Sequence, residues 1–289
     1  MKKSDVIMAN SIVYLFCLNI CLISSFLISD NQRSIPVQTY DSLVSYLENG
    51  AQVRYFFNIS SCLQSASPPF KDIPVFGGEI KYFSASKNTV EDAGQLIFSN
   101  VDYINQNDLN KEIHTFWIVN DTAKVFWAQP GVYINITDNI AGTYCKWTEG
   151  QGSLWVKNQA KQRQLTSFPE IQTMLTSGEE VGWVVNITEC QCAAGQGNCY
   201  HGILGDTIRG FKMAKDSSIH FSTSMTTIFP VAMNFIQLTT FVRVNVNNTA
   251  TFTTRHLDPS TFEQDEIDMM SCPIDAGSSV GNGAKFYVN

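Results

Sequence analysis

The chain repeats itself, and that repeat limits its fold more than any other feature. Residues 39–62 (TYDSLVSYLENGAQVRYFFNISSC) and 167–190 (SFPEIQTMLTSGEEVGWVVNITEC) align at a constant offset of 128. The matched pairs are Tyr40/Phe168, Leu43/Ile171, Leu47/Leu175, Gly50/Gly178, Val53/Val181, Asn58/Asn186, Ile59/Ile187 and Cys62/Cys190. Ile80-Lys81-Tyr82-Phe83 then meets Ile208-Arg209-Gly210-Phe211 at the same offset. Further on, Asp121-Thr122-Ala123 meets Asn248-Thr249-Ala250 at 127, as Cys145 meets Cys272. Self-similarity at a fixed spacing is the mark of a repeated structural unit. The sequence therefore reads as a tandem duplication with units at 39–156 and 167–288. The polar stretch 157–166 (KNQAKQRQLT) reads as the linker.

Each unit has one local plan. An aromatic at position 40 with Leu43 and Leu47 marks one face of a short helix, and Phe168, Ile171 and Leu175 repeat it. Thr39 or Asp41 can cap the helix, Gly50 and Gly178 supply left-handed stops, and Pro169 fits a first turn. Aromatic and β-branched runs then predict strands at 53–59, 80–83, 96–98, 115–119, 124–127 and 132–136. The second unit gives 207–211, 218–223, 241–246 and 250–254. Asn-Asp and Asn-Asn pairs mark hairpin turns near 120 and 248. The expected fold class is α+β or mainly β. It comprises two repeated modules, each a short N-terminal helix followed by an antiparallel sheet or barrel of six to eight strands.

The first thirty residues read differently. Lys2 and Lys3 precede an apolar stretch from Ile12 to Ile28, which ends at Ser29-Asp30. That is the form of a secretory signal peptide over residues 1–29. The alternative is an uncleaved anchor through residues 12–28, which lies at the lower edge of spanning length. Export predicts two chemical traces downstream. N-x-[ST] glycosylation acceptors stand at Asn58, Asn120, Asn135, Asn186 and Asn247. Beyond the leader six cysteines remain, Cys62, Cys145, Cys190, Cys192, Cys199 and Cys272, an even set suited to disulfides. Cys62 ends the first strand and Cys145 precedes the last one, and Cys190 and Cys272 hold matching positions. The pairing expected is therefore Cys62–Cys145 and Cys190–Cys272, with Cys192 and Cys199 closing a small loop. A net charge of −7 without basic runs argues against nucleic acid as a partner. Membrane is a partner only if the leader stays attached.

The pattern Tyr40-x-x-Leu43-x-x-x-Leu47-x-x-Gly50-x-x-Val53, a strand and Cys62 resembles the start of the VirK family. The second unit adds Phe241-Val242-Arg243-Val244, a polar turn, Leu257-Asp258-Pro259, Phe262, Cys272 and Gly283-x-x-Phe286-Tyr287. The first unit matches more loosely, with Ala128-Gln129-Pro130 in place of the Leu-Asp-Pro segment. The resemblance implies an exported fold with these domain limits and this cysteine pairing. Members are known from virulence-associated bacterial loci, and no biochemical activity is established for them, so the resemblance brings no catalytic residues. A tandem form rich in glycosylation acceptors departs from the single-domain bacterial form and suggests a eukaryotic secretory route.

No residue pattern names a reaction, a cofactor or a metal. Cys190-x-Cys192-x6-Cys199-x-His201 has metal-ligand residue types, but in an oxidising compartment such cysteines pair with each other. His114, His220 and His256 have no histidine at the equivalent position of the other unit, and no nucleophile motif accompanies them. Asp258 sits in a turn-forming string. Glu263, Asp265, Glu266 and Asp268 form an acidic run that reads as a solvated edge rather than an EF-hand. Gly150-x-Gly152 and Gly281-x-Gly283 precede a strand, the wrong order for a phosphate cradle. Phe116-Trp117 and Phe126-Trp127 send one ring of each pair inward, and the outward ring either binds a partner or lies under the neighbouring unit. The function expected is a secreted, glycosylated, non-catalytic binding or scaffold module, acting on an extracellular protein or glycan. The alternatives are a hydrolase or metal-dependent enzyme with its site in the second unit near His201, His220 or His256, and an anchored surface receptor or adhesin.

Overall fold

The structure, a computed structural model, describes residues 34–64, 75–87, 89, 93–103, 111–128, 142–157, 162–193, 202–229, 234–258, 263–277 and 283–288. The leader, Asn135, Cys199 and His201 lie outside the described residues, as does the strand expected at 132–136. Each half opens with a short strand and a nine-residue helix: β1 (Ile35–Pro36) and α1 (Tyr40–Glu48), then β11 (Arg163–Leu165) and α2 (Phe168–Thr176). The helices start differently. Thr39 and Ser42 form a capping box, each side chain accepting the other's backbone N–H at 3.2 Å. At α2 the Phe168 N–H reaches the Asn248 Oδ1 at 2.7 Å, so a distant hairpin tip caps the helix. Both helices stop at left-handed glycines, Gly50 at φ 76° and Gly178 at φ 84°.

The strands of the first half follow as β2 (Val53–Asn58), β3 (Leu63–Gln64), β4 (Val75–Ile80), β5 (Phe83–Ala85), β6 (Gln95–Tyr103), β7 (Lys111–Val119), β8 (Thr122–Ala128), β9 (Gly142–Lys146) and β10 (Gly152–Val156). Those of the second half are β12 (Val181–Asn186), β13 (Gln191–Cys192), β14 (Ile203–Thr207), β15 (Lys212–Met213), β16 (Ile219–Phe229), β17 (Asn234–Asn245), β18 (Thr249–Leu257), β19 (Gln264–Pro273) and β20 (Ala284–Val288). The fold is mainly β, and every pairing between these strands is antiparallel.

The first half orders its strands β1-β10-β2-β4 in one sheet and β5-β6-β7-β8-β9-β3 in another. Adding ten to each label gives the order in the second half, β11-β20-β12-β14 and β15-β16-β17-β18-β19-β13. One contact breaks the separation. β14 pairs with β5 through Ile203↔Ala85, Leu204↔Ser84 and Gly205↔Phe83, fusing two of these sheets into one of ten strands. The matching hairpins differ by one residue in length, which raises the offset from 126 in β7 and β17 to 127 in β8 and β18. Val119 faces Thr122 across two residues, whereas Asn245 faces Thr249 across three, and Asn120 and Asn248 take positive φ at the two tips.

Two hydrophobic clusters fill the halves. The first draws on both of its sheets, with Phe57 from β2, Leu154 from β10 and Phe98 stacked on Phe116 at 4.8 Å. The second surrounds Trp183, Phe252 and Phe286. The clusters trade members at the junction: Val184, Ile203 and Tyr287 join the first, and Tyr82 joins the second. The Tyr287 ring lies over Gly50, where an added Cβ would meet it at 2.3 Å. Tyr82 Oη pairs with Thr240 Oγ1 at 3.0 Å, and Asn186 Nδ2 reaches Glu48 Oε1 at 3.4 Å.

Several expectations need correction. The stretch read as a linker, 157–166, contains β11, which pairs with β20. The strands expected at 80–83 and 207–211 straddle corners where the chain leaves one sheet for another. Ile80 closes the β4 ladder opposite Val53, while Tyr82 and Ile208 are buried outside the named strands, so burial imitated a longer strand signal. β4 and β14 overlap the expected strands only at Ile80 and Thr207, since Gly77-Gly78 and Gly205-Asp206 interrupt the side-chain pattern of each strand. The acidic run lies in or beside β19, where its strand residues pair with β18; Glu263 is exposed, as expected of a solvated edge, but Asp268 is buried.

Disulfides join Cys62 to Cys145 and Cys190 to Cys272 across 83 and 82 residues, as the repeat predicts. In each half the bond ties the segment leaving β2 or β12 to β9 or β19, thereby linking the two sheets. Cys145→Ala and Cys272→Ala should each lower unfolding free energy by about 4.5 kcal/mol, the chain-entropy value for loops of this length. Denaturant titration checks this, and a loss near zero for either contradicts it.

Asp206 sits at the junction, buried on β14 beside a crevice lined by Lys81, Glu79 and Trp183. Desolvation raises its pKa; the Thr223 hydroxyl bonded to Oδ2, and Arg209 at 3.6 Å from Oδ1, only partly offset this. A raised folded pKa favours folding while the acid is protonated, and that contribution is lost as pH rises through the folded value. Asp206→Asn should therefore raise the melting temperature at pH 7 and leave it nearly unchanged at about pH 3, below the ordinary Asp value. Thermal unfolding at both pH values checks the sign.

Candidate functional site

The second half exposes one face of its six-stranded sheet, and strand alternation decides what stands on it. On β17, Val242 and Val244 point into the core while Phe241 and Arg243 point out. Backbone register then aligns two rows across the sheet. One runs Ser222–Phe241–Thr253–Met269 over β16 to β19. The other crosses all six strands as Lys212–His220–Arg243–Thr251–Ser271–Gln191. Phe241 is 46% exposed and Met269 41%, beside Phe211 at 39%. Phe211, Lys212, His220, Phe241, Arg243 and Met269 line an open groove of about 690 Å³. Large apolar side chains left this exposed on a sheet face mark an interaction surface.

Charge on this face is held in place. Arg243 Nη2 meets Asp216 Oδ2 at 2.5 Å, and the Arg255 guanidinium lies 5.6 Å from the Phe241 ring centre. Asp216 Oδ1 accepts the Ser218 hydroxyl at 2.6 Å and its backbone N–H at 3.1 Å. These hydrogen bonds, the hydroxyl's first and Arg243 after them, hold the Asp216 carboxyl below its ordinary pKa. Ser218 Oγ also lies 2.8 Å from His220 Nε2. Asp, Ser and His are thus assembled, but with serine in the middle. A nucleophilic triad needs histidine between serine and carboxylate, so that the imidazole takes the hydroxyl proton. Here the serine bonds the carboxylate itself, and the cluster braces the loop under Arg243.

The other singled-out residues are not gathered. His114 is buried in the first half against Phe76, ring centres 4.4 Å apart. His256 borders a small cleft of about 110 Å³ between the halves, with Ile97, Met225 and Asp268. It lies five positions beyond Thr251, the member of the His220 row on β18, so it stands on the opposite face and about 17 Å along the strand. Asp258 donates its backbone N–H to Glu263 at 2.9 Å, as a turn residue does. Cys190 and Cys192 are both disulfide-bonded, which removes the thiolates a zinc site there would use. Phe116 and Phe126 are fully buried. Thr115, opposite Phe126, meets Thr227 of the second half at 3.4 Å, so cover by the neighbouring half accounts for that face. Trp117 stays half-exposed with Tyr144, and both flank Lys124, whose Nζ lies 5.8 and 5.2 Å from their ring centres.

The asparagine acceptors share a fold of their own. Asn58, Asn186 and Asn247 each accept, on Oδ1, the hydroxyl of the Ser or Thr two residues on, at 2.6, 2.6 and 2.8 Å. Asn120 is exposed at its hairpin tip. Sequence reasoning missed Asp216 and the exposure of Phe241, because pairing register and the packing of neighbours decide both. The Asp216 contact adds stability above the unfolded pKa and loses it as pH falls through the lowered folded value. NMR titration should place the Asp216 midpoint below that of an ordinary Asp. Ser218→Ala should raise it more than Arg243→Gln does; the reverse order would assign the shift to the ion pair.

Residues 164–262 match the family described as VirK protein. The crystal structure of a VirK family protein from Legionella pneumophila also matches. It is 20% identical, covers 43% of this chain and 97% of its own, and superposes with a TM-score of 0.36. No curated protein matches the sequence. The match begins in β11 and takes in α2 and the hairpins that carry Phe241, Arg243 and Thr253. What this chain shares with the VirK family is thus a similarity over residues 164–262, in its second half.

Proposed function

We propose that this chain is an exported, N-glycosylated protein built from two copies of a VirK-like module, and that it binds or scaffolds without catalysis. The observation that carries the binding reading is the outward face of the second sheet. Phe211, Phe241 and Met269 are exposed there beside Lys212 and Arg243, around an open groove. Such a surface fits an extracellular protein or glycan partner. The serine-centred wiring of Asp216, Ser218 and His220 weakens the hydrolase alternative. The identical strand orders and matching disulfide spans support the duplication. Disulfides closing loops of more than 80 residues support an oxidising compartment. Among the described residues no helix is long and apolar enough to cross a membrane.

Intact mass spectrometry of the protein recovered from a secreting eukaryotic host tests this reading. The mature chain should start near Asp30, and its mass should fall on enzymatic removal of N-glycans. An intact leader would favour the anchored form, and an unchanged mass would remove the glycoprotein part. Stoichiometric zinc or calcium in the purified protein would favour the metal-dependent enzyme instead.

A further inference from the structure

The junction inside the chain leaves its own counterparts unused at both ends. β14 of the second half buries its outer edge against β5 of the first. The equivalents of these strands are β4 and β15, and each is an edge strand of its sheet among the described residues. Pairing register fixes the residue correspondence at an offset of 128. Ile203 and Gly205 correspond to Val75 and Gly77, through their partners in β12 and β2. Phe83 and Ala85 correspond to Phe211 and Met213.

Exposure divides these pairs in one consistent way. Ile203 is 2% exposed and Val75 42%; Phe83 is 3% and Phe211 39%; Ala85 is 1% and Met213 42%. Val184, which lies in the first-half cluster with the buried face of α1, is 4% exposed, and its counterpart Phe56 is 39%. The apolar surface that the internal junction covers is thus present at both open ends, uncovered.

Glycine adds an independent sign. Gly205 is required where it stands, since a Cβ there would lie 2.7 Å from the Phe83 ring. Gly77 has no such neighbour: a Cβ would meet nothing closer than the Tyr55 carbonyl at 3.4 Å. A glycine inside a strand weakens it, and one often marks close approach by another chain. Phe211 of a second molecule is the ring that would occupy that place. The same holds at the helix ends. Tyr287 packs on Gly50, while a Cβ on Gly178 would find nothing within 4 Å, and Trp155, which corresponds to Tyr287 by its pairing with β2, is partly exposed.

We infer that the chain associates head to tail, with β4 of one copy adding to β15 of the next in the geometry of the β14–β5 junction. The occupant of both ends is a second copy of this chain. Because the two faces differ, the contact is heterologous and does not close at two subunits. The inference rests on reading the halves as copies of one module.

Sedimentation velocity of the full oxidised chain over a range of concentrations tests it, using Phe56→Glu to block one end and Phe211→Glu to block the other. Wild type should show a weight-average mass that rises with concentration past that of a dimer. Each variant alone should stay monomeric, and an equimolar mixture should form a one-to-one dimer and stop there. Gly77→Val, which the isolated fold accommodates by the space around that Cβ, should behave as Phe56→Glu does and guards against a loss caused by misfolding. A monomeric wild type, a plateau at dimer, or a mixture that stays monomeric overturns the inference. None of these outcomes alters the mature N-terminus or the glycan content, so the export reading stands or falls separately.

Discussion

Three residues of β14 paired with three residues of β5 carry one sheet across the middle of the chain, and the relation between the halves depends on that contact. It is short for a strand pair, so hydrogen bonding alone is a weak hold. Side chains supply the rest. Ile203, Leu204 and Phe83 are almost wholly buried at the contact, and each such side chain contributes about 1.5–3 kcal/mol. That total is of the order of the net stability of an ordinary domain. Gly205 permits the approach by leaving room for the Phe83 ring.

Within each half a different constraint operates. The two sheets of a half meet through apolar side chains, and the disulfide fixes the point where the chain passes from β2 to β3, or from β12 to β13. The bond sits beside a short 3-10 turn in both halves, at Ile59–Ser61 and Ile187–Glu189. The same turn holds Asn58 and Asn186 at its start, so each acceptor asparagine lies four residues before a bridged cysteine. In the second half that asparagine also faces Glu48 of the first, which draws Asn186 into the junction.

The legible parts of the fold were those set by local chemistry or by repetition. Helix limits followed from Thr39, Gly50, Pro169 and Gly178, because caps and left-handed stops act over a few residues. Cysteine pairing followed from matching places in the two halves of the sequence. The corners at 80–83 and 207–211 misled because Tyr82 and Ile208 are buried outside the named strands, which period-2 patterns do not record. β19 was obscured by its carboxylates, although Asp268 lies under neighbouring strands. The groove was less legible still. Phe241 occupies a strand position whose counterpart in the first half, Thr115, is fully covered, and only the arrangement of the halves makes one buried and the other open.

The central claim is an asymmetry between equivalent edges, and amide hydrogen exchange in dilute, monomeric protein tests it most directly. Peptides spanning β5 and β14 should exchange as slowly as the core strands, while those spanning β15 and β4 exchange markedly faster. Equal protection of β4 and β14, or a β5 as labile as β15, would contradict a junction built on that one covered edge.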